Sequence, residues 1–421
     1  MKKRMRHMQV AVIGGGVVGV STAYFLAAAG HEVALIERRS NVAEEASFGN
    51  SGLVAPAVSA PWATPGMPGK IFAQLFRQES PMVLRRRLDP GLWRFARRWI
   101  AECDAEHFRI NKLRLQRIGF YSRELLEQLR LHYKMDYEQT VGHLQLFRGA
   151  RDVLLAQPLL TLLSEMEVPH SILDGEAARL LEPALCAATP LTAALHLPQD
   201  EAGNCALFAK QLKTIAQSIG VTFLFGKSVE RVERIDNRVA LHMDGTSFTA
   251  DAVVLAAGIE NPTLLNALGV RLPALPVQGY SATCSIRDFE EAPLAALTDD
   301  TYKTTITRFG NRIRIAGVLD PGARSPEVPE AAQRTLRKVA TDWFPNASNY
   351  NNATLWSGLR TMLPDGVPVM GATPVRNVYV ALDDGSSGWT TALGTGKVLS
   401  DLVSGRTPDI DLDGLTLSRF G

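Results

Sequence analysis

Six residues near the start of the chain constrain its fold more than any others: Gly14-Gly15-Gly16-Val17-Val18-Gly19. They follow a β-branched run over 9–13 and precede an apolar, helix-compatible run over 20–29 that Gly30 stops. A second strand is expected over 31–36, ending at Glu37. Strand, glycine turn, helix, strand and acid at this spacing form a dinucleotide-binding βαβ unit. Gly14 allows the tight turn, Gly16 lets the backbone approach a pyrophosphate, and Gly19 lets the helix pack on the strand. The helix N-terminus offers unpaired N–H groups to the phosphates. Glu37 is placed to accept ribose hydroxyl protons and disfavours a 2′-phosphate. Ala23, Leu26, Gly30 and Val33 also fall on the expected packing positions, and this agreement separates the motif from an isolated glycine loop.

With 421 residues, 46% of them hydrophobic, the chain has room for two or three domains of roughly 150 residues and needs no disulfide staples. Cys103, Cys186, Cys205 and Cys284 are scattered without a CxxC pair, which implies a reducing compartment and neither a zinc site nor a dithiol centre; no metal is expected. A net charge of +2 gives no reason to expect a nucleic-acid partner. No apolar run approaches the roughly 18 residues of a membrane span. The basic start from Met1 to His7 leads into an apolar run that breaks at Gly14, too short for an export signal, so a cytoplasmic location is expected.

Other helical and strand patterns are sparse but legible. A helix is expected over 207–219, strands over 220–225, 229–232 and 252–255, and antiparallel strands over 280–285, 303–308 and 312–318, the last two joined at Asn311. One stretch stands out in charge. Lys70, Arg77, Arg85, Arg86, Arg87, Arg94, Arg97 and Arg98 are interleaved with Phe72, Trp93 and Trp99, against Glu79 and Asp89 alone. Such a stretch either lies on an anionic membrane or packs on the protein with a solvated basic face.

The fingerprint alone does not choose between FAD and NAD. Three small-residue turns, far apart in sequence, suit one long cofactor lying extended: Ser47-Phe48-Gly49-Asn50-Ser51-Gly52, the strand end Ala257-Gly258, and Gly385-Ser386-Ser387-Gly388-Trp389 with Thr390, opening a helix through Gly394 and Gly396. To these are added Ala60-Pro61-Trp62-Ala63, Leu144-Gln145-Leu146-Phe147-Arg148, Asp200-Glu201, Gly279-Tyr280-Ser281, Tyr302-Lys303, Trp356-Ser357-Gly358-Leu359-Arg360 and Pro364-Asp365-Gly366. In this order they make the chain resemble, over nearly its whole length, the FAD-dependent D-amino-acid oxidase superfamily, and within it the bacterial D-amino-acid dehydrogenases.

The resemblance implies an α/β (α+β) fold: a Rossmann-type FAD-binding domain (1–80, 200–275 and 345–421) interleaved with a substrate domain on a mixed, mainly antiparallel sheet (81–199 and 276–344). It implies FAD on Gly14, Gly16, Val17, Val18, Gly19, Glu37, Arg38, Ser47, Asn50, Ser51, Gly52, Val229, Ala257, Gly258, Gly385, Ser386, Gly388, Trp389 and Thr390. The activity implied is oxidation of free D-amino acids to 2-oxo acids and ammonia. Hydride passes from Cα to flavin N5, and the electrons pass to a quinone or other non-oxygen acceptor. That acceptor favours the membrane reading of the basic stretch, on the inner face of the cytoplasmic membrane. Dehydrogenation of a cyclic secondary amine such as cis-4-hydroxy-D-proline, an oxygen-using oxidase, and a flavin-holding subunit without catalysis are the alternatives.

Flavin chemistry asks the protein chiefly to orient and polarise. Arg360 is the expected carboxylate clamp, because a guanidinium forks a carboxylate bidentately; relatives continue this motif with proline, whereas Thr361 follows here. Arg308 and Arg314 are alternative clamps. Tyr280 and Tyr302 are candidates for the carboxylate or the side-chain pocket, or else core tyrosines. Relatives carry Gly-His before the last flavin-facing turn, but this chain has Asp383-Asp384. Asp384 is expected either to face the substrate, favouring substrates with an extra polar group, or to join Asp383 in a solvated helix cap.

Overall fold

The computed structural model describes residues 7–74, 79–83, 89–323, 325–383 and 385–420. A six-stranded sheet runs in the order Val369–Ala372, Val378–Leu382, Ala252–Leu255, Gln9–Ile13, Glu32–Glu37 and Thr222–Phe225. Its strands are parallel except at the Val369–Ala372 edge. A parallel sheet is covered on both faces, so its strands are apolar throughout rather than alternating. The cover on each side follows the two-residue period of the strand. Val10 and Val12 pack into a core with helices Val17–Ala28, Cys205–Ser218 and Gly388–Val403, while Ala11 and Ile13 pack into a core with Val232, Val239 and Leu241 of a small antiparallel sheet.

That small sheet, Val229–Ile235, Arg238–Met243 and Thr246–Ala250, holds the strand expected at 229–232. The other boundaries agree to within a few residues: the helix expected at 207–219 is Cys205–Ser218, and 280–285 extends to Leu275–Ser285. Gly310 and Asn311 form the two-residue turn between Thr304–Phe309 and Arg312–Pro321.

The second large sheet has the order Thr354–Met362, Leu275–Ser285, Arg312–Pro321, Thr304–Phe309, Ala296–Asp299, Thr140–Phe147, Ala193–Ala202 and Leu53–Val54, with Ser171–Asp174 added to Ala193–Ala202. It is antiparallel except where Ala296–Asp299 meets Thr140–Phe147, giving the mixed sheet that was expected. Helix Glu330–Trp343 lies on it through Leu336, Val339 and Trp343 against Ile306, Ile313 and Ile315. Strand Thr354–Met362 belongs to this sheet, although the sequence division grouped 345–421 with the first.

Helix Ala105–Tyr133 begins where Asp104 accepts from the backbone N–H groups of Glu106 and His107, both at 2.9 Å. It ends at Lys134, whose φ of 50° breaks the helical path. Its buried face includes Phe108, Lys112, Leu115 and Gly119, and it packs on Gly388–Val403. Among the described residues no helix is long and apolar enough to cross a membrane.

Candidate functional site

Two cavities meet at one arginine. The first, about 440 Å³, is the cleft at the C-terminal end of strand Gln9–Ile13, bordered by residues 13–18, 36–38, 43–47, Asn50, 227–230, 256–260, 359–361, Asp383, Gly385, Ser386, Gly388 and Trp389. Gly14 sits at φ 107°, and a Cβ there would lie 2.4 Å from the Ala256 carbonyl oxygen; only glycine accepts both conditions. A Cβ on Gly19 would lie 1.9 Å from the Gly14 carbonyl oxygen, so helix and turn meet in contact. Gly16 caps the helix without a side-chain bond and borders open space, where a Cβ would meet only Ser47 Oγ at 3.5 Å. Ser47 Oγ accepts from Val17 N at 3.1 Å, tying the second turn to the first.

Glu37 is buried at the end of the second strand. Its carboxylate accepts from Gly15 N at 2.5 Å and Arg39 N at 2.7 Å, so it pins the glycine turn as well as bordering the cleft. Each oxygen keeps a further lone pair for a hydroxyl. Arg38 borders the cleft too and pairs with Glu45 at 2.6 Å and Glu260 at 3.1 Å. The cleft fits a dinucleotide by two independent signs: the room left at Gly16, and the Trp389 indole N–H, which is buried without a partner among the described residues and would otherwise carry a desolvation cost.

The expected cofactor residues divide. Gly14, Gly16, Val17, Val18, Glu37, Arg38, Ser47, Asn50, Val229, Ala257, Gly258, Gly388 and Trp389 border the cleft. Gly385 and Ser386 border both cavities, while Ser51 and Thr390 border the second. Gly19 and Gly52 border neither and serve packing; a Cβ on Gly52 would lie 2.5 Å from the Phe309 ring.

The second cavity, about 290 Å³, is mostly apolar, with Trp62, Met67, Phe108, Leu159 and Met362 in its wall. Arg360 borders both cavities. It stands opposite Val277 on the neighbouring strand, and its guanidinium lies over Gly279, where a Cβ would come within 2.9 Å of Nε. Its Nη1 donates to the Gly385 carbonyl at 3.4 Å, which holds the arginine against the helix-start turn. Asp383 accepts from Gly385 N at 2.5 Å. Asp384 lies outside the described residues, as do Arg77, Arg85, Arg86 and Arg87.

The other arginine candidates point elsewhere. Arg314 is 7% exposed and donates to the Phe48 carbonyl at 2.7 Å, the Asn50 carbonyl at 3.0 Å and Thr283 Oγ1 at 3.1 Å; it holds the 47–52 turn, and burial pushes its guanidinium down to about 10. Arg308 Nε donates to the Gly310 carbonyl at 3.1 Å. Both tyrosines also lie outside the cavity walls. Tyr280 is fully buried, with its hydroxyl donating to Asp320 at 3.1 Å, and the Tyr302 ring carries the Arg148 guanidinium at 5.0 Å.

Residues that sequence reasoning passed over complete the second cavity. Lys70, counted above in the basic stretch, lines it with Gln145, Asp300 and Lys303. The segment that gives Ala55, Val58 and Ser59 to the wall is gripped from beneath. Fully buried Lys112 donates to the Ala57 carbonyl at 2.7 Å and to the Ser59 carbonyl, while Asp200 accepts from Ala57 N at 3.4 Å. Burial pushes the Lys112 amine down to about 7 and the Asp200 carboxyl up to about 7. Nothing in the sequence singles out Lys112, whose helix also carries Arg109, Arg114 and Arg117.

The FAD dependent oxidoreductase family, DAO, matches residues 9–402. The chain is 41% identical over 417 residues to a D-amino acid dehydrogenase of Methylobacterium radiotolerans, covering 98% of this chain and 100% of that protein. It is 41% identical over 416 residues to a D-amino acid dehydrogenase of Allorhizobium ampelinum, covering 98% and 99%. Among solved structures, glycine oxidase from Geobacillus kaustophilus is similar with a TM-score of 0.77 at 22% identity, covering 98% of this chain and 99% of that one. L-proline dehydrogenase from P. horikoshii is similar with a TM-score of 0.74 at 18% identity, covering 99% and 98%. These two structures share the fold. The cofactor is FAD, and the chain is an oxidoreductase that belongs to the DAO family of FAD-dependent oxidoreductases.

Proposed function

We propose that this enzyme oxidises free D-amino acids to 2-oxo acids and ammonia and passes the electrons to a quinone or another non-oxygen acceptor. The observation that carries the reading is Arg360, a cation bordering both the dinucleotide cleft and the smaller cavity. The relatives named D-amino acid dehydrogenase support the substrate class. Bound FAD supplies a two-electron acceptor for the Cα hydride, leaving an imine that water hydrolyses. The protein's part is to orient. Arg360 takes the substrate carboxylate, the Gly385–Ser386 turn closes the junction, and the apolar wall excludes water, which strengthens each polar contact inside. Anaerobic titration with D-amino acids should bleach the flavin, and L-amino acids should not. Bleaching by L-enantiomers alone, or by none, overturns the proposal.

We place the adenosine ribose on Glu37. Because its carboxylate also holds Gly15 N, Glu37→Ala removes contacts on both sides, each worth roughly 1.5–3 kcal/mol for a charged partner. The variant should release FAD on dialysis about ten- to a hundredfold more readily while keeping its far-ultraviolet circular dichroism. Retention equal to the wild type would move the ribose elsewhere.

The acceptor reading also gives helix Pro90–Ala101 a role. Leu92 and Phe95 pack inward on Leu275 and Val277. Arg94, Arg97, Arg98, Trp93 and Ile100 are exposed, the last two at 66% and 56%. Cations beside exposed apolar groups suit an anionic bilayer, at roughly 1 kcal/mol per basic residue. Binding to phosphatidylserine-containing vesicles should weaken with salt, and by at least about a hundredfold when the three arginines become glutamate. Binding that is absent or indifferent to salt returns the helix to a solvated face.

A further inference from the structure

The far wall of the smaller cavity carries a polar cluster that carboxylate clamping leaves unused. Asp300 is 4% exposed. Its Oδ1 accepts from Lys303 and from Gln145 Nε2 at 2.7 Å, and its Oδ2 from Lys70 at 3.4 Å. Burial alone would push this carboxyl up, but Lys303 and Lys70 outweigh it and hold it below the usual range. Lys70 is held within the cluster: besides Asp300 Oδ2 it donates to the Asp300 carbonyl at 3.3 Å and pairs with Asp152 at 3.7 Å. Two lysines thus face two carboxylates, and the cluster is electrically balanced.

Two groups in it are left with capacity. Among the described residues Asp300 is the one partner of Lys303, so two of its three N–H donors remain for the cavity that it borders. Gln145 borders the same cavity, and because its Nε2 serves Asp300, its Oε1 is left buried without a partner among the described residues. The backbone singles out the same place. Lys303 sits at φ 48°, a conformation costly for a residue with a side chain. Asp299 Oδ1 holds that turn by accepting from Thr301 N at 3.0 Å and Tyr302 N at 3.2 Å.

We propose that Lys303 and Gln145 form a side-chain subsite for a neutral carboxamide, making D-asparagine and D-glutamine the preferred substrates of the reaction proposed above. The amide carbonyl accepts from Lys303 Nζ and the amide NH₂ donates to Gln145 Oε1. A carboxylate would satisfy Lys303 but bring an uncompensated charge to a balanced cluster and present no donor to Gln145. An alkyl chain would leave the two spare Lys303 donors and Gln145 Oε1 unmet. This inference rests on the D-amino-acid reading, with Arg360 at the other end of the substrate.

The test compares kcat/KM for D-asparagine with its isosteres D-leucine and D-aspartate, using the FAD-loaded enzyme. D-asparagine should lead each by at least tenfold. In Lys303→Met the ratio of D-asparagine to D-leucine should fall at least tenfold, and Lys303→Arg should recover part of it. Should Lys303→Met not fold, Gln145→Met should lower the same ratio. D-leucine or D-aspartate matching D-asparagine in the wild type overturns the subsite but leaves the D-amino-acid reading standing. So does a ratio that neither variant changes. A preference for cis-4-hydroxy-D-proline assigns the cluster to a hydroxyl instead and also overturns it. If no D-amino acid reduces the flavin, both readings fall.

Discussion

Arg360→Lys should lower kcat/KM for the best D-amino acid by roughly 2–4 kcal/mol, about thirtyfold to a thousandfold, through both a higher KM and a lower kcat. The reason is geometric. A guanidinium grips a carboxylate with two parallel N–H bonds, whereas an ammonium is a point donor on a flexible stem. Arg360 is also shaped by its surroundings: Gly279 leaves the room its Nε fills, and Gly385 accepts from Nη1 at 3.4 Å. A lysine there keeps the charge but loses the planar contact over Gly279. The substrate then binds with its Cα–H free to turn, and misorientation costs kcat as well as affinity. Flavin content should stay within twofold of the wild type, which separates lost substrate orientation from lost cofactor. Kinetics within twofold of the wild type would move the clamp away from Arg360, and neither Arg314 nor Arg308 could replace it without leaving its present carbonyl partners.

The cofactor cleft was legible because local spacing builds much of it. Gly14 to Gly19, Glu37 and the 385–389 turn are short motifs whose backbone demands can be read residue by residue. The smaller cavity was not legible for the opposite reason. Gln145, Asp300 and Lys303 are brought together by the pairing of Ala296–Asp299 with Thr140–Phe147, Lys70 reaches them from helix Met67–Gln74, and Lys70 alone would pass for a solvated basic residue. Tyr280 shows a second limit. Alternation says that neighbours on a strand face opposite sides, but not which side a helix covers. Leu275–Ser285 changes register against Arg312–Pro321 between Gly279 and Tyr280, and Tyr280 turns into the core under Glu330–Trp343. Gly279, with no side chain to suggest a role, is the residue that makes room for Arg360. Strand Thr354–Met362 shows the same limit at the scale of the sheet: its apolar and polar residues do not reveal which of two sheets it joins.

Gly396→Val should cost about 3 kcal/mol of folding stability, and the protein that still folds should bind FAD poorly. Helix Gly388–Val403 crosses helix Val17–Ala28, and Gly396 is where their backbones meet. A Cβ there would lie 2.8 Å from both the Ser21 carbonyl carbon and the Thr22 nitrogen. Both are helical backbone atoms, so no side chain can swing aside. Relief must come from moving one helix as a body, in an interior whose dense packing resists such shifts, and overpacking of this kind costs roughly 1–3 kcal/mol or more. The consequence reaches the site because both helices begin at the cleft: Val17 and Val18 border it at the start of one, Gly388 and Trp389 at the start of the other. Wedging them apart at Gly396 changes the separation of those two ends. The control is Gly69→Ala. Gly69 is exposed in helix Met67–Gln74 with nothing within 4 Å of its Cβ position, so alanine should be neutral or stabilise by up to about 1 kcal/mol through its helix preference. The urea midpoint and the flavin-to-protein absorbance ratio read both effects. If Gly396→Val keeps both at wild-type values, the helices do not need their present close approach.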